Sequence, residues 1–365
     1  MKHSPQATLA NWREAPYNRW AFHHVRELIP SAEIANDPAR LRALPAAPAP
    51  LLDERFLEDT DSDGIAVVQR GKLVFERYGN GMSAASPHIL MSVSKSMLGL
   101  LVILLGLDPE REVTHWIPEL AGTAYRGATL RHLLDMRTGV AFDEDYLATS
   151  GPIVEYRKST GWNALAPGET PSDLHSFYRQ LKEGGAHGGR FHYISPNSDL
   201  LGWVVERATG RRYADLMSEH LWQPIGAERS AYITVDRLGA PRSAGGMCAT
   251  TRDLARVGLW IIESGAPWVD DLEKGGERAA WDAGSFVAYF PGLPMRYRSQ
   301  WYALDARNEN ESPLLFALGI HGQNLFIDRK RELVVAKFSS QAAPLDAARI
   351  GLTLRAVARI RNSLA

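Results

Sequence analysis

The chain has 365 residues, of which 45% are hydrophobic and 23% are charged, as in an ordinary globular protein, so a disordered or fibrous chain is excluded. The net charge of -1 gives no electrostatic reason to expect nucleic acid or an anionic membrane as a partner. The single cysteine, Cys248, excludes an internal disulfide framework and a multi-cysteine zinc cage, which favours a reducing compartment.

The first 81 residues predict an arm and the start of a sheet. The N-terminus, MKHSPQATLANWREAPYNRW, has neither the apolar stretch nor the cleavage site of a secretory signal, so we expect a cytoplasmic protein. Residues 43–52, ALPAAPAPLL, predict an extended arm. In GIAVVQRGKLVFERYGNG, residues 64–81, two β-branched runs flank Arg70-Gly71, which predicts a β-hairpin.

Helical patterns dominate the middle of the chain. The strongly apolar stretch from Met97 to Leu107 is shorter than the roughly 20 residues that cross a bilayer, so we predict a buried helix from about 93 to 107. Between 110 and 285, TLRHLLDMRTGV, SDLHSFYRQLKEGG and DLLGWVVERATGRRYADLMSEHLW carry apolar residues at helical spacing. We therefore predict a mainly helical lobe at 106–289.

The period changes at Arg296. YRSQWYALD, PLLFALGIHGQNLFID and ELVVAKFS predict three successive strands, and PLDAARIGLTLRAVARIRNSL predicts a C-terminal helix. Strands at both ends of the chain then build one sheet. This arrangement predicts an α/β lobe of residues 1–105 and 290–365, with a cleft between it and the helical lobe.

Ser92 and Lys95 head the apolar helix, in SVSKSMLGLLVILL. Residues three apart share one face of a helix, so the amine can reach the hydroxyl. An amine at the edge of a hydrophobic core loses proton affinity, and a neutral amine can take the serine proton while the serine attacks a carbonyl. The amide of Ser92 would then help to hold the oxyanion. The spacing alone also fits an N-cap serine beside a solvated lysine.

Tyr193 lies just before a helix that we expect to open with Ser195-Pro196, in FHYISPNSDLLGWVVERATGRRY. A phenol beside an ammonium has a lowered pKa, so a Tyr193 close to Lys95 would carry the proton from Ser92 to the leaving group. A tyrosine at such a position more often only packs in the core.

Five blocks occur in the order and spacing of the serine β-lactamase and penicillin-binding-protein-like superfamily: MSVSKS, TLRHLLDMRTGV, YISPNSDLLGWVVERATG, AGGMCATTRDLARVG and ALGIHGQNLFID. YNRWAFHHVRELIPSAEI and FDEDYLATSGPIVEYRKSTGW are similar to one branch, the class C β-lactamase-like esterases and 6-aminohexanoate-dimer (nylon oligomer) hydrolases. The resemblance covers nearly the whole chain. It implies an α/β (α+β) fold of the β-lactamase/transpeptidase type, an antiparallel sheet flanked by helices with an inserted, mostly helical lobe.

The resemblance also implies roles for individual residues. Ser92 matches the nucleophile, Lys95 its partner and Tyr193 the tyrosine of the Y-x-N motif. The third position of that motif is Ser195 instead of asparagine. Tyr146 matches a loop tyrosine that closes over substrate in the nylon oligomer hydrolases, although an exposed loop aromatic is an equal alternative.

Gly319 falls at the glycine of the K-T-G strand motif, where Ala317 and Leu318 replace the lysine and the threonine. Ile320 would then supply the second oxyanion N–H through its backbone. The missing asparagine, lysine and threonine are polar groups that hold a β-lactam and its carboxylate. Their absence disfavours antibiotic hydrolysis and suits an ester or amide with a less charged acyl group.

An acidic cluster and a histidine each have a simple structural interpretation. Asp143, Glu144 and Asp145 form an acidic cluster that would bind an amine terminus of a substrate, but a solvated loop is the simpler interpretation. His321 follows the oxyanion strand, and a lone histidine beside a glycine is more often structural, so we leave it outside the site.

We therefore predict a serine hydrolase that cleaves an ester or amide of a small-molecule substrate through an acyl-enzyme, as a carboxylesterase or a 6-aminohexanoate-dimer hydrolase-like amidase. No metal and no cofactor are needed, no nucleic acid or membrane is expected as a partner, and a homo-oligomer is possible. Two alternatives stay open. One is a β-lactamase or D-alanyl-D-alanine peptidase, and the other is a catalytically inactive penicillin-binding-like binding module.

Overall fold

A seven-stranded antiparallel sheet carries the fold in the computed structural model, which describes residues 6–306, 308 and 311–364. In chain order the strands are β1 (Ser31–Ile34), β2 (Ser62–Gln69), β3 (Lys72–Tyr78), β4 (His88–Ile89), β5 (Val140–Ala141), β6 (Lys182–Glu183), β7 (Ala231–Thr234), β8 (Met247–Ala249), β9 (Met295–Arg298), β10 (Trp301–Leu304), β11 (Leu314–Gly319), β12 (Gln323–Asp328) and β13 (Leu333–Ser339). The large sheet has the order β3-β2-β13-β12-β11-β10-β9. Strands from the two ends of the chain therefore meet where β2 pairs with β13.

Helices cover both faces of this sheet. In chain order they are α1 (Asn18–Ala21), α2 (Glu54–Asp59), α3 (Val93–Leu104), α4 (Leu130–Leu134), α5 (Pro152–Ser159), α6 (Leu174–Phe177), α7 (Ser195–Thr209), α8 (Tyr213–Met217), α9 (Thr251–Ser264), α10 (Pro267–Lys274), α11 (Arg278–Asp282) and α12 (Ala347–Ser363). The antiparallel sheet with flanking helices confirms the predicted fold class. The lobe boundaries near 105 and 290 stay a prediction.

The hairpin of β2 and β3 is confirmed, with both strands antiparallel and adjacent. Arg70 and Gly71 have φ angles of 47° and 73°, the left-handed conformation that a tight two-residue hairpin turn requires. Two smaller sheets accompany the main one: β1-β7-β8-β4, and the ladder of β5 with β6.

The prediction of three strands after Arg296 was wrong, because the described residues of this region form five strands, β9 to β13. The first predicted strand is broken at Ser299 and Gln300, whose φ angles of 50° and 69° make a hairpin turn without glycine, proline or asparagine. The second is broken at His321, which has a φ of 61° and starts the return from β11 to β12. Both breaks use residues that carry little turn signal in sequence.

Alternate residues of the central strands enter two separate cores. In β2, Ala66 and Val68 lie in the core that contains α3 and α7, whereas Ile65 and Val67 lie in the core on the opposite face. Successive side chains of a strand point to opposite faces, so a strand buried on both sides reads as a continuous apolar run. The interior position of β2 explains its apolar sequence.

Helix α3 lies inside the first of these cores, and all residues from Val93 to Val102 are buried. A helix that is apolar all round is a buried helix, as the sequence predicted. Among the residues that the structure describes, no helix is both long and apolar enough to cross a membrane. The start of α3 is the place where the chemistry-bearing residues gather.

Candidate active site

Ser92 is the N-cap residue of α3 and remains partly exposed, while Lys95, one turn later, is only 1% exposed. Met91, just before Ser92, has a φ of 45°, a conformation that costs about 1–2 kcal/mol for a residue other than glycine. Such strain persists where surrounding contacts hold it, and it is common beside reactive groups. The hydroxyl of Ser92 is therefore presented to solvent, while the amine of Lys95 is withdrawn from it.

The amine of Lys95 lies 3.0 Å from Ser92 Oγ, 3.1 Å from Ser195 Oγ and 2.7 Å from the carbonyl oxygen of Ala244. Burial lowers the pKa of Lys95 to about 7, against the opposing effect of the Glu144 charge. Because a lysine in water has a pKa of about 10.4, burial makes this amine largely neutral above neutral pH. A neutral amine within hydrogen-bonding distance of the hydroxyl can act as a base.

Glu144 reaches into the site from the acidic loop. Its carboxylate accepts hydrogen bonds from Ser195 Oγ at 2.5 Å and from the Ser195 backbone N–H at 2.8 Å. Ser195 opens α7, so the carboxylate lies at the positive end of a fifteen-residue helix. The interpretation of Asp143, Glu144 and Asp145 as a solvated loop holds for Asp143 and Asp145, which are exposed, and fails for Glu144, which is half-buried.

Tyr193 is buried beside Lys95, whose Nζ lies 4.9 Å from the centre of the phenol ring. Burial raises the pKa of Tyr193 far above its usual value, while a hydrogen bond with Ser92 opposes that rise. The expected lowering of the pKa was wrong, because removing the phenol from water outweighs any nearby positive charge. Tyr193 is thus a neutral phenol that can give a proton.

A buried ion pair lies beneath the Lys95 amine and fixes the backbone that holds it. Arg242 Nη1 bonds the Asp199 carboxylate, which also accepts a hydrogen bond from the Ala244 N–H at 2.7 Å. Both charged side chains are buried, with exposures of 6% and 2%. Asp199 therefore fixes the backbone of Ala244, and the carbonyl of Ala244 is one of the acceptors that hold the Lys95 amine.

Gly319, the last residue of β11, lies against the start of α3. A Cβ atom at this position would come within 2.7 Å of the Leu90 carbonyl oxygen and 3.1 Å of the Ser92 nitrogen. A side chain here would push the two backbones apart, so the close approach requires glycine. The approach brings Ile320 to the pocket that contains Ser92. Ala317 and Leu318 are buried in the strand.

Two adjoining cavities share part of their lining, and Ser92 lines the inner one. The inner pocket has a volume of about 30 Å³ and is lined by Ser92, Ser195, Glu144 and Ile320 among others. The outer cavity has a volume of about 530 Å³ and is lined in part by Ile320 and His321. The half-buried Tyr146 lines both cavities, as do two arginines, Arg13 and Arg157.

His321 is 4% exposed, its Nδ1 lies 2.7 Å from the Gln341 carbonyl oxygen, and burial lowers its pKa to about 4. Its ring packs edge-on against Phe22. These contacts describe a neutral histidine that holds the turn between β11 and β12.

The structure thus brings Ser92, Lys95, Tyr193, Ser195, Gly319, Ile320 and Tyr146 to one cleft. Sequence reasoning missed the roles of Glu144, Asp199 and Arg242, and it missed both arginines of the cavity wall. Glu144 and Asp199 lie 51 and four residues from Ser195, and nothing in their local sequence marks the contacts.

Comparisons with known proteins found similar sequences and similar structures. The beta-lactamase family model matches residues 53–359. The chain is 38% identical over 360 residues to a 6-aminohexanoate-dimer hydrolase from Paenarthrobacter ureafaciens, covering 93% of this chain and 89% of the relative. A provisionally assigned 6-aminohexanoate-dimer hydrolase from Bacillus anthracis superposes with a TM-score of 0.88 at 25% identity, over 99% of each chain. A D-stereospecific amidohydrolase from Streptomyces sp. shares the fold, with a TM-score of 0.58 at 16% identity over 82% of this chain and 97% of its own.

Proposed function

The chain belongs to the beta-lactamase family and is a serine hydrolase that acts through an acyl-enzyme, and we propose that Ser92 is its nucleophile. The single observation that carries this proposal is the amine of Lys95, 3.0 Å from Ser92 Oγ, with a pKa lowered by burial to about 7. A base near its operating pH is the most effective one, because it is both free to accept a proton and strong enough to do so.

Acylation begins when Ser92 Oγ attacks the carbonyl carbon of the ester or amide and its proton passes to Lys95 Nζ. The oxygen of the tetrahedral intermediate carries the negative charge, and the N–H groups of Ser92 and Ile320 hold it. When the bond to the leaving group breaks, the neutral phenol of Tyr193 protonates the departing oxygen or nitrogen. Lys95 then returns a proton to Tyr193, so the acyl-enzyme forms with both groups neutral.

Deacylation reverses these steps with water as the nucleophile. Lys95 takes a proton from the water, the same two N–H groups hold the second oxyanion, and the proton returns to Ser92 Oγ as the acid leaves. Ser195 and Glu144 keep the Lys95 amine in place, since Ser195 Oγ lies between the amine and the carboxylate.

For the substrate we propose a small linear ester or amide, with the 6-aminohexanoate dimer as the first amide to test. The name of the Paenarthrobacter ureafaciens relative and its 38% identity support this choice. The buried Ala317 and Leu318, which stand in place of a polar lysine and threonine, count against a β-lactam.

A panel of three substrates tests the function: a p-nitrophenyl ester, the 6-aminohexanoate dimer and a chromogenic cephalosporin. We expect turnover of the ester or the dimer to exceed that of the cephalosporin, and Ser92→Ala to lose at least about 10³-fold in kcat. Ser83→Ala, at an exposed serine, is the matched control and should keep the wild-type rate. A faster rate on the cephalosporin would favour a β-lactamase, and full activity in Ser92→Ala would refute the role of Ser92.

We also propose a cytoplasmic location, which the one free and buried cysteine supports. We propose a small molecule as the partner, without nucleic acid or membrane, and leave a homo-oligomer possible. Fractionation of producing cells tests the location, and recovery of the protein in the extracellular fraction would contradict it.

A further inference from the structure

Arg13 and Arg157 stand at the junction of the two cavities and line both. Arg157 is 9% exposed, and its guanidinium donates to the carbonyl oxygens of Tyr146 at 2.9 Å and of Ala148 and Asp145 at 3.4 Å. Arg13 bonds the side-chain amide oxygen of Asn163. All these acceptors are neutral, so neither positive charge is balanced by them.

Within the described residues, no carboxylate lies within ion-pair distance of either guanidinium, and Arg13 Nε is buried without a hydrogen-bond partner. The neighbouring Arg242 differs, since its guanidinium forms an ion pair with Asp199. Buried charges in proteins are normally paired, because an isolated one is costly to remove from water. Two unpaired guanidiniums in one cavity wall therefore point to an anion that comes from outside the chain.

The charges around Arg13 also favour an anion from outside the chain. Burial and, to a smaller extent, the positive charges of Arg157 and Arg242 together lower the pKa of Arg13 to about 9, against the opposing effect of the Glu14 charge. An anion between these groups would relieve the repulsion. The charge of Glu144, the carboxylate of the same pocket, opposes the lowering of the Arg157 pKa by burial. Glu144 forms no ion pair with Arg157, however, because its hydrogen bonds go to the hydroxyl and the N–H of Ser195 at the N-terminus of α7.

We propose that Arg13 and Arg157 form a carboxylate-binding subsite beside Ser92, and that the enzyme prefers esters or amides that carry a free carboxylate. Guanidinium groups match a carboxylate through paired N–H donors, which gives both affinity and orientation. The proposal rests on the proposed function, because it identifies the substrate class of the same site. It also differs from the sequence expectation of a less charged acyl group.

The carboxylate belongs to either half of the substrate, because the two arginines line both the inner and the outer cavity. Ile320, the oxyanion donor of the proposed mechanism, lines both cavities together with the two arginines. The outer cavity, at about 530 Å³, is large enough for the remainder of a small linear substrate. A carboxylate held by the two arginines thus lies in the same pocket as Ser92.

Two pairs of esters test the preference. For the acyl half, the p-nitrophenyl monoester of glutaric acid is compared with p-nitrophenyl valerate. For the leaving half, 4-acetoxybenzoate is compared with phenyl acetate. We expect kcat/KM for the anionic member of at least one pair to exceed that for its neutral partner by about tenfold or more, and the excess to fall with added salt. Equal or lower kcat/KM for the anion in both pairs overturns the proposal.

Variants assign the preference to the two residues. We expect Arg13→Gln to lower the anionic-to-neutral ratio by about tenfold, and Arg157→Lys to lower it less because the charge remains. Arg55→Gln, at a largely exposed arginine of α2, is the matched control and should leave the ratio unchanged. Thermal melting shows that each variant is folded. If Arg13→Gln does not fold, Arg13→Lys and the salt dependence of the wild type carry the test.

Binding separates this proposal from the function of Ser92. Titration calorimetry of glutarate into Ser92→Ala measures the subsite without turnover, and Arg13→Gln in the same background should weaken binding by about tenfold. If Arg13→Gln weakens glutarate binding while Ser92→Ala keeps its ester turnover, the subsite is supported and the role of Ser92 as nucleophile is refuted. Ester turnover that depends on Ser92, with no glutarate binding and no anionic preference, refutes the subsite alone.

Discussion

Replacement of Glu144 by glutamine should shift the pH profile of the enzyme toward acid. The carboxylate raises the pKa of Lys95 by favouring the ammonium, so its removal lowers that pKa further. Two hydrogen bonds of 3.1 Å and 2.5 Å connect amine and carboxylate through Ser195 Oγ, so the charges lie at most about 6 Å apart. With an effective dielectric constant of about 20, that distance gives about 3 kcal/mol, or about two pKa units.

Solvent screening reduces this value, because Glu144 is only half-buried and the helix N-terminus shares its charge. We therefore expect the acid limb of kcat/KM to move from about pH 7 to about pH 6, a shift of about one unit. At pH 6 the variant should keep a larger fraction of its own plateau rate than the wild type does. Glutamine retains an oxygen acceptor for the Ser195 hydroxyl, so the local hydrogen bond survives.

The assay is kcat/KM for a p-nitrophenyl ester from pH 5 to 9, in the wild type, Glu144→Gln and Asp143→Asn. Asp143 belongs to the same loop but is exposed, and its variant should show the wild-type profile. An acid limb that stays in place or moves to higher pH in Glu144→Gln would refute the link between this carboxylate and the base.

Three further changes probe other parts of the site. Tyr193→Phe should lower kcat by about 10²-fold or more on an amide and less on a p-nitrophenyl ester, whose leaving group needs no proton; equal losses in steady-state kinetics would argue against a proton donor. Gly319→Ala should lower kcat by about 10²-fold or more, because the new Cβ would clash with the Leu90 carbonyl oxygen and crowd the Ser92 nitrogen; an unchanged kcat would exclude the oxyanion role of the Ile320 N–H. Asp199→Asn should cost about 3–5 kcal/mol in urea unfolding by leaving Arg242 unpaired, and an unchanged midpoint would show that the pair is not needed.

Local patterns predicted the hairpin of β2 and β3, the buried helix α3 and the pairing of Ser92 with Lys95. Each depends on residues within one turn or one strand, so periodicity and spacing carry the information. The five strands after Arg296 were harder to predict from sequence, since the turn at Ser299 and Gln300 is held by tertiary contacts. The Gln300 carbonyl accepts a hydrogen bond from Ser96 in α3 at 2.7 Å, a contact between residues 204 positions apart.

The parts of the site that escaped prediction come from loops distant in sequence. Glu144 meets Ser195 across 51 residues, and Arg13 reaches the cavity from a segment 79 positions before Ser92 on the printed sequence. The pKa of Tyr193 was predicted in the wrong direction because burial, which decides it, follows from the packing of the whole core. The type of a side chain alone predicts neither its hydrogen-bond partner nor how deeply it is buried.

Trapping the acyl group on the protein tests the central claim most directly. Intact mass is measured after incubation with a p-nitrophenyl ester and, separately, with a fluorophosphonate, for the wild type and Ser92→Ala, followed by peptide mapping of the modified site. We predict one adduct on the wild type, located on Ser92, and none on Ser92→Ala. An adduct on another residue, or an adduct that persists in Ser92→Ala together with ester turnover, would contradict the assignment of Ser92 as the nucleophile.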